Sequence, residues 1–146
     1  MVYRPADPSE HAQLLLLAKR SPYTKDFSNR VMFSSGDAYA KGWIWCASDP
    51  RVEPDENPVV GFACVRHKVR EPVTMLYFLA VQERWRRRRV GYRLLDNIMY
   101  AGPHSVMELN VMKENDAVGF YQKLGFRIVG EGLKGQAYRM RGEWEK

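Results

Sequence analysis

The stretch from Leu79 to Phe126 constrains this chain more than any other. It reads LAVQERWRRRRVGYRLLDNI, then a strand, then NDAVGFYQKLGF. An apolar strand runs into a loop of arginines and a glycine, and that loop opens directly into an amphipathic helix. A later helix ends on Tyr-x-x-Leu-Gly-Phe. The first part places a row of backbone N–H groups and positive charge at a helix N-terminus, which suits a pyrophosphate. The second part places a phenol one turn before a helix stop.

Strands and helices alternate along the whole chain. Val2 to Arg4 reads as a first strand. Asp7, Pro8 and Glu10 form a helix start, with Asp as cap and Glu completing a capping box, and the Leu14–Leu17 run carries that helix to about Arg20. Ser21-Pro22 breaks it, and a second helix is expected over Ser28 to Lys41. Trp43 to Ala47, Val59 to Val69 and Val73 to Val81 read as strands, with a Pro- and acid-rich loop over Asp49 to Pro58. Val90, Leu94, Leu95, Ile98 and Met99 recur at helical spacing, and Gly102-Pro103 ends that helix. Ser105 to Val111 is a strand and Asp116 to Leu124 a helix, which Gly125 stops in the left-handed conformation with Phe126 packing back. Two last strands lie near Arg127 to Gly130 and Ala137 to Arg141.

Length and composition narrow the function classes. The 146 residues suit a single domain, expected over 1–146, with one core. No apolar run approaches the roughly 18 residues of a membrane span, and the N-terminal sequence lacks the pattern of a secretory signal. Cys46 and Cys64 have no zinc-ligand spacing and read as reduced thiols, so a cytoplasmic protein without metal is expected. His11, His67 and His104 are scattered in sequence. The net charge of +6 is concentrated, with six arginines between residues 84 and 93. A basic block of this kind serves either nucleic acid or a phosphate-bearing cofactor. Its position between an apolar strand and a helix favours the cofactor.

The loop and the Tyr-x-x-Leu-Gly-Phe ending together resemble the GNAT superfamily of acyl-CoA-dependent N-acetyltransferases, whose loop pattern is Arg/Gln-x-x-Gly-x-Gly/Ala. The matching residues are Arg86, Arg89 and Gly91, with Arg89 standing where the family usually has its first glycine. The resemblance implies an α/β (α+β) fold. Its central mixed, mostly antiparallel sheet would have about seven strands, flanked by about four helices and splayed between the fourth and fifth strands. It further implies that acetyl-CoA is the co-substrate. Its pantetheine arm would pair with backbone groups of Leu79, Ala80 and Val81. Its pyrophosphate would lie on the loop and helix start formed by Arg86, Arg87, Arg88, Arg89, Val90, Gly91 and Tyr92. A glycine at position 89 would allow close approach and unusual dihedrals, whereas arginine brings charge and a planar donor fork. Asn115 either holds the pantetheine arm or caps the next helix, since counting from Tyr121 puts the family's asparagine at Glu114.

The implied reaction sets requirements on the remaining residues. A lysine-like amine of pKa about 10.4 must lose a proton before it attacks a thioester. The leaving thiolate needs a nearby acid, and the resemblance gives that role to Tyr121; the alternative is a core tyrosine on a stripe with Ala117, Val118 and Leu124. The family's usual base positions fall on Met75 and Asn110, neither of which can accept a proton. Glu108 lies two residues before Asn110 on the same sheet face and is the candidate base. Its alternatives are an exposed strand-end carboxylate, Tyr77 acting through water, or no direct base.

The expected function is transfer of an acetyl group from acetyl-CoA to a primary amine, by direct attack in a ternary complex. The acceptor is a protein lysine or N-terminus, or a small molecule, and Tyr23, Phe27, Tyr39, Trp43, Trp45 and Tyr138 could line its cleft. Two other classes stand beside this one: a GNAT-like protein that binds CoA or nucleic acid without turnover, and an acyltransferase acting on nucleic acid. No membrane partner is expected, and a homodimer is left open.

Overall fold

The computed structural model describes residues 1–20, 24, 27 and 36–146. Seven strands are present: β1 (Val2–Pro5), β2 (Ile44–Ser48), β3 (Val59–His67), β4 (Val73–Val81), β5 (Val106–Met112), β6 (Arg127–Gly132) and β7 (Ala137–Glu143). Their order is β1-β2-β3-β4-β5-β7-β6. The pairs β1–β2, β2–β3, β5–β7 and β6–β7 are antiparallel, and β4–β5 is parallel. Among the described residues four α-helices accompany them: α1 (His11–Ala18), α2 (Gly36–Ala40), α3 (Val90–Ala101) and α4 (Ala117–Lys123). This is the mixed sheet with four helices that the sequence implied. Most element bounds differ from the expected ones by one or two residues; the helix expected over Ser28 to Lys41 is described only as α2, and 28–35 lie outside the described residues.

The chain packs as two compact units that interleave in sequence, Met1–Val65 with Phe78–Ile98, and Arg66–Tyr77 with Met99–Lys146. In the first, the expected capping box forms. Asp7 Oδ1 accepts from the Ser9 N–H at 2.9 Å, and Glu10 Oε1 accepts from the Asp7 N–H at 2.8 Å. The box opens a 3-10 turn over Pro8–Glu10 that leads into α1. Leu14, Leu17 and Ala18 of α1 are buried, as are Val90, Leu94, Leu95 and Ile98 of α3. The Phe27 ring lies 5.1 Å from Phe62 and 5.9 Å from Phe78. Phe27 and Tyr39 are therefore buried core residues, and Tyr23 falls outside the described residues. Cys46 and Cys64 are free and buried. Burial pushes the Cys46 thiol up to about 11, with the Glu10 carboxylate adding to the effect, so it is a poor nucleophile near neutrality.

In the second unit, Met107, Leu109 and Val111 of β5 pack inward with Met140 and Phe126. The α4 stop has the expected form. Gly125 takes φ +99°, its N–H donates to Gln122 C=O at 3.0 Å, and Phe126 N–H donates to Tyr121 C=O at 3.0 Å. The β4–β5 ladder comprises Val73↔Val106, Thr74↔Met107 and Met75↔Glu108 and stops there, so β4 continues from Leu76 without a β5 partner.

The scattered histidines also find partners. His67 Nδ1 lies 2.6 Å from the hydroxyl of buried Thr74, and its ring meets that of His104 at 6.1 Å. Burial, the His104 ring and the Lys146 ammonium all hold the His67 pKa below its ordinary value. The fold thus prefers the neutral ring. That contribution is fully present above the unfolded value of about 6.5 and is lost as pH falls from there through the folded value. The melting temperature is expected to be lower at about pH 5.5 than at about pH 7.5, and His67→Asn should shrink that drop. A pH-melting series on both proteins measures it.

Candidate active site

The end of β4 and the arginine loop belong to the first unit. Along β4, Leu76, Phe78 and Ala80 are buried while Met75, Tyr77, Leu79 and Val81 are partly exposed. The Gln82 N–H donates to Val60 C=O at 2.8 Å, which sets the alternation of backbone groups at this end. Ala80 therefore faces β3, and Leu79 and Val81 turn their N–H and C=O groups away from it. Gly61 on β3 permits this close pairing, since a Cβ there would lie 3.1 Å from the Ala80 carbonyl oxygen. The Val81 carbonyl accepts from Arg86 Nε at 3.3 Å.

A 3-10 turn over Glu83–Trp85 follows, and the Arg86 N–H donates to Glu83 C=O at 3.1 Å. That removes Arg86 from the expected row of free amides. Arg87 and Arg89 then both adopt left-handed backbone, with φ of +66° and +60°. The first α-helical bond runs from the Arg93 N–H to Arg89 C=O at 3.0 Å. The N–H groups of Val90, Gly91 and Tyr92 consequently have no acceptor within the helix. Those of Arg87, Arg88 and Arg89 donate to nothing among the described residues. Residues of alternating hand turn successive N–H groups toward a common side, and the helix end adds its positive dipole. The side chains of Arg86 to Arg89 are exposed, and Tyr92 is 40% exposed.

A Cβ makes left-handed backbone less accessible to arginine than to glycine, so altered geometry is the expectation at position 89. The backbone is left-handed there nonetheless, at a cost of about 1–2 kcal/mol for a residue with a Cβ. The amide row therefore has the geometry an anion requires, and the arginine side chain is added to it.

The second unit holds the remaining candidates. Tyr121 on α4 is partly exposed, with ring contacts to Phe120 at 5.1 Å and Phe126 at 5.6 Å. Its hydroxyl has no hydrogen-bond partner among the described residues, and burial pushes its pKa well above that of an ordinary phenol. Glu108 is buried, and its Oε2 accepts two hydrogen bonds from Arg141, from Nε at 2.7 Å and Nη2 at 2.5 Å. It stands on the last rung of the β4–β5 ladder. The geometry commits this carboxylate to an ion pair and not to an exposed strand end. Asn115 Oδ1 accepts from the Ala117 N–H at 2.7 Å, so the capping alternative is the one its side chain takes up. Asn110 lies over Gly132, where an added Cβ would collide with its Oδ1.

Two features were not legible beforehand. Asp49, read as part of a solvated acidic loop, is buried and binds Arg51 through both oxygens, at 3.0 and 2.9 Å. The arginine holds its carboxyl down at about 2. Trp85 lies under Arg88, whose guanidinium is 5.1 Å from the indole centre. Both belong to an open cleft of about 330 Å³ lined by Arg51, Val52, Glu56, Arg84, Trp85 and Arg88. A tryptophan inside an arginine run was the only signal for it. Among the described residues no group of three or more His, Cys, Asp or Glu converges as a metal site, and no helix is long and apolar enough to cross a membrane.

Comparison with known proteins bears on this geometry. A sequence model of the acetyltransferase (GNAT) domain matches residues 41–128. A protein of Pseudomonas phage PaMx11, 5-NmdU N-acetyltransferase, is 45% identical over 145 residues, covering 99% of each chain. The PaiA N-acetyltransferase of Thermoplasma acidophilum, solved in complex with coenzyme A, superposes with a TM-score of 0.73 over 98% of each chain at 16% identity. A GNAT-family acetyltransferase of Staphylococcus aureus Mu50 superposes with a TM-score of 0.76 over 99% of each chain at 15% identity.

The left-handed backbone at position 89 gives a direct test. Arg89→Gly should leave stability at or above that of the parent chain. Arg89→Val should lower it, because β-branching adds to the strain of a Cβ that arginine already carries there. Denaturant titration of both variants decides this.

Proposed function

The chain belongs to the GNAT acetyltransferase family, and within that family we propose that it transfers the acetyl group of acetyl-CoA to an amine on a modified nucleotide of the 5-NmdU kind. The observation that carries this reading is the 45% identity, over 99% of both chains, to 5-NmdU N-acetyltransferase. The concentration of six arginines between residues 84 and 93 agrees with a phosphate-bearing acceptor as well as a phosphate-bearing co-substrate. The chain functions as one acetyltransferase domain over residues 1–146.

The residues present fit coenzyme A. The Arg87 to Tyr92 amides and the helix dipole suit the diphosphate, and the outward groups of Leu79 and Val81 suit an extended amide-bearing arm. Bound acetyl-CoA supplies an activated thioester carbonyl. Arg86 keeps its side chain for the loop, bracing the turn against the Val81 carbonyl. Asn115 stabilises the start of α4 and so holds Tyr121 in place.

Tyr121 is the proton donor. Desolvation raises its pKa above that of an ordinary phenol, so the group holds its proton to higher pH, and its O–H is available to a sulfur acquiring negative charge. Glu108 is assigned to the Arg141 pair and not to proton abstraction. The acceptor amine enters in its neutral fraction or loses its proton to water.

Two results are expected. Tyr121→Phe should lower kcat by about a hundredfold, the scale of a lost general acid, while acetyl-CoA affinity by calorimetry stays near that of the parent chain. The parent's kcat/KM with 5-NmdU should climb with pH toward the amine's own pKa, without a decline near pH 10 where an ordinary phenol ionises. Absence of acetylated product by mass spectrometry with 5-NmdU in any form would sink the acceptor assignment.

A further inference from the structure

The geometry points to the cleft between the β2–β3 loop and the Arg84–Arg88 segment as a seat for the phosphodiester backbone of a polynucleotide, so that the modified nucleotide is acetylated within a polymer. This rests on the acceptor reading above and adds a site to it.

The walls of this cleft are held in place. Asp49 grips Arg51 through both carboxylate oxygens, and its buried position fixes where the guanidinium sits. The Arg51 side chain is nevertheless 80% exposed, so its remaining N–H groups face water. Gln82 Nε2 donates to Asn57 C=O at 3.1 Å and to Val59 C=O at 2.7 Å, tying the β2–β3 loop to the residue just before the arginine run. Trp85 packs against Ala47, Val60 and Val90, and Arg88 covers its ring. A guanidinium stacked on an aromatic face keeps its planar donor edge free for an oxyanion. The Trp85 Nε1 is buried with no hydrogen-bond partner among the described residues, an unmet donor in the wall of the cleft.

The shape and charge suit a chain better than a single ion. A second open hollow, about 470 Å³ and lined by Arg20, Glu56, Gln82, Glu83 and Arg84, shares Glu56 and Arg84 with the first. Arg84 therefore stands at the middle of a groove carrying Arg20, Arg51 and Arg88 as well. Glu56 and Glu83 line the groove and Asp49 pairs with Arg51, so four arginines face three carboxylates there. Successive phosphates of a polynucleotide can reach separate arginines along such a groove, whereas a mononucleotide engages one. None of Arg20, Arg51 and Arg84 lies in the amide row assigned to acetyl-CoA.

The test compares free 5-NmdU mononucleotide with a single-stranded oligonucleotide containing it, as substrates of the parent chain, Arg84→Gln and Arg84→Glu. Arg84 is exposed, so these variants should fold, and melting curves check that. The ratio of kcat/KM for the oligonucleotide to that for the mononucleotide should fall by about tenfold in Arg84→Gln, the scale of one charge-assisted contact, and further in Arg84→Glu. The logarithmic salt dependence of oligonucleotide binding should lose about one unit of slope, as for one neutralised phosphate. An unchanged ratio with both substrates acetylated overturns the cleft assignment alone. A rise in KM for acetyl-CoA with the ratio unchanged overturns it too, by giving the cleft to the co-substrate. Acetylation of neither form by the parent chain overturns the acceptor reading and this inference with it.

Discussion

The β4–β5 ladder closes over three residue pairs and then stops, and the remaining chemistry follows from that limit. Parallel strands cannot be joined by a tight turn, so β4 must leave the sheet through a crossover. That crossover is a 3-10 turn and the arginine loop, followed by α3 from Val90. Past Met75 the strand keeps its β3 partner, while every second residue turns its peptide groups to the other side. A backbone edge and a helix N-terminus are thus supplied by one continuous segment, with no additional structure needed to bring them together.

The same limit fixes the surroundings of Glu108. It stands on the last closed rung, where the sheet is still paired and the side chain is buried. A carboxylate in that setting must be compensated, and Arg141 on β7 lies directly opposite in the antiparallel register. Tyr121, by contrast, has a hydroxyl without a hydrogen-bond partner among the described residues.

The arginine loop shows how charge and conformation can be met by one residue. Glycine is the usual solution to left-handed backbone because it lacks a Cβ. Here Arg87 and Arg89 accept the strain, and each brings a cation to the start of α3. Packing of Trp85 beneath the loop and the Gln82 bonds on its near side provide the rigidity that holds such a turn. The arginines then divide by position: those beside the amide row stand toward the helix start, while Arg84 and Arg88 border the cleft with Arg51.

Local patterns carried most of the fold. The Asp7–Glu10 capping box, the helical spacing from Val90 to Met99 and the Gly125 stop depend on neighbours within one or two turns, so they could be read in order along the chain. The Glu108–Arg141 pair and the placement of Trp85 against Ala47 and Val60 could not. Each depends on what a distant strand or loop presents across the sheet, and no periodicity encodes that. Side-chain type alone left Asn115 and Glu108 with more than one reading; the structure adds a cap bond for the first and a buried ion pair with Arg141 for the second. The sequence by itself thus determined the order of elements, the cationic loop and the phenol before the helix stop, because these are properties of adjacent residues. Only the tertiary structure decided which amides are free, which carboxylates are already paired and where the surplus arginines converge, because hydrogen bonds and charges are satisfied in space.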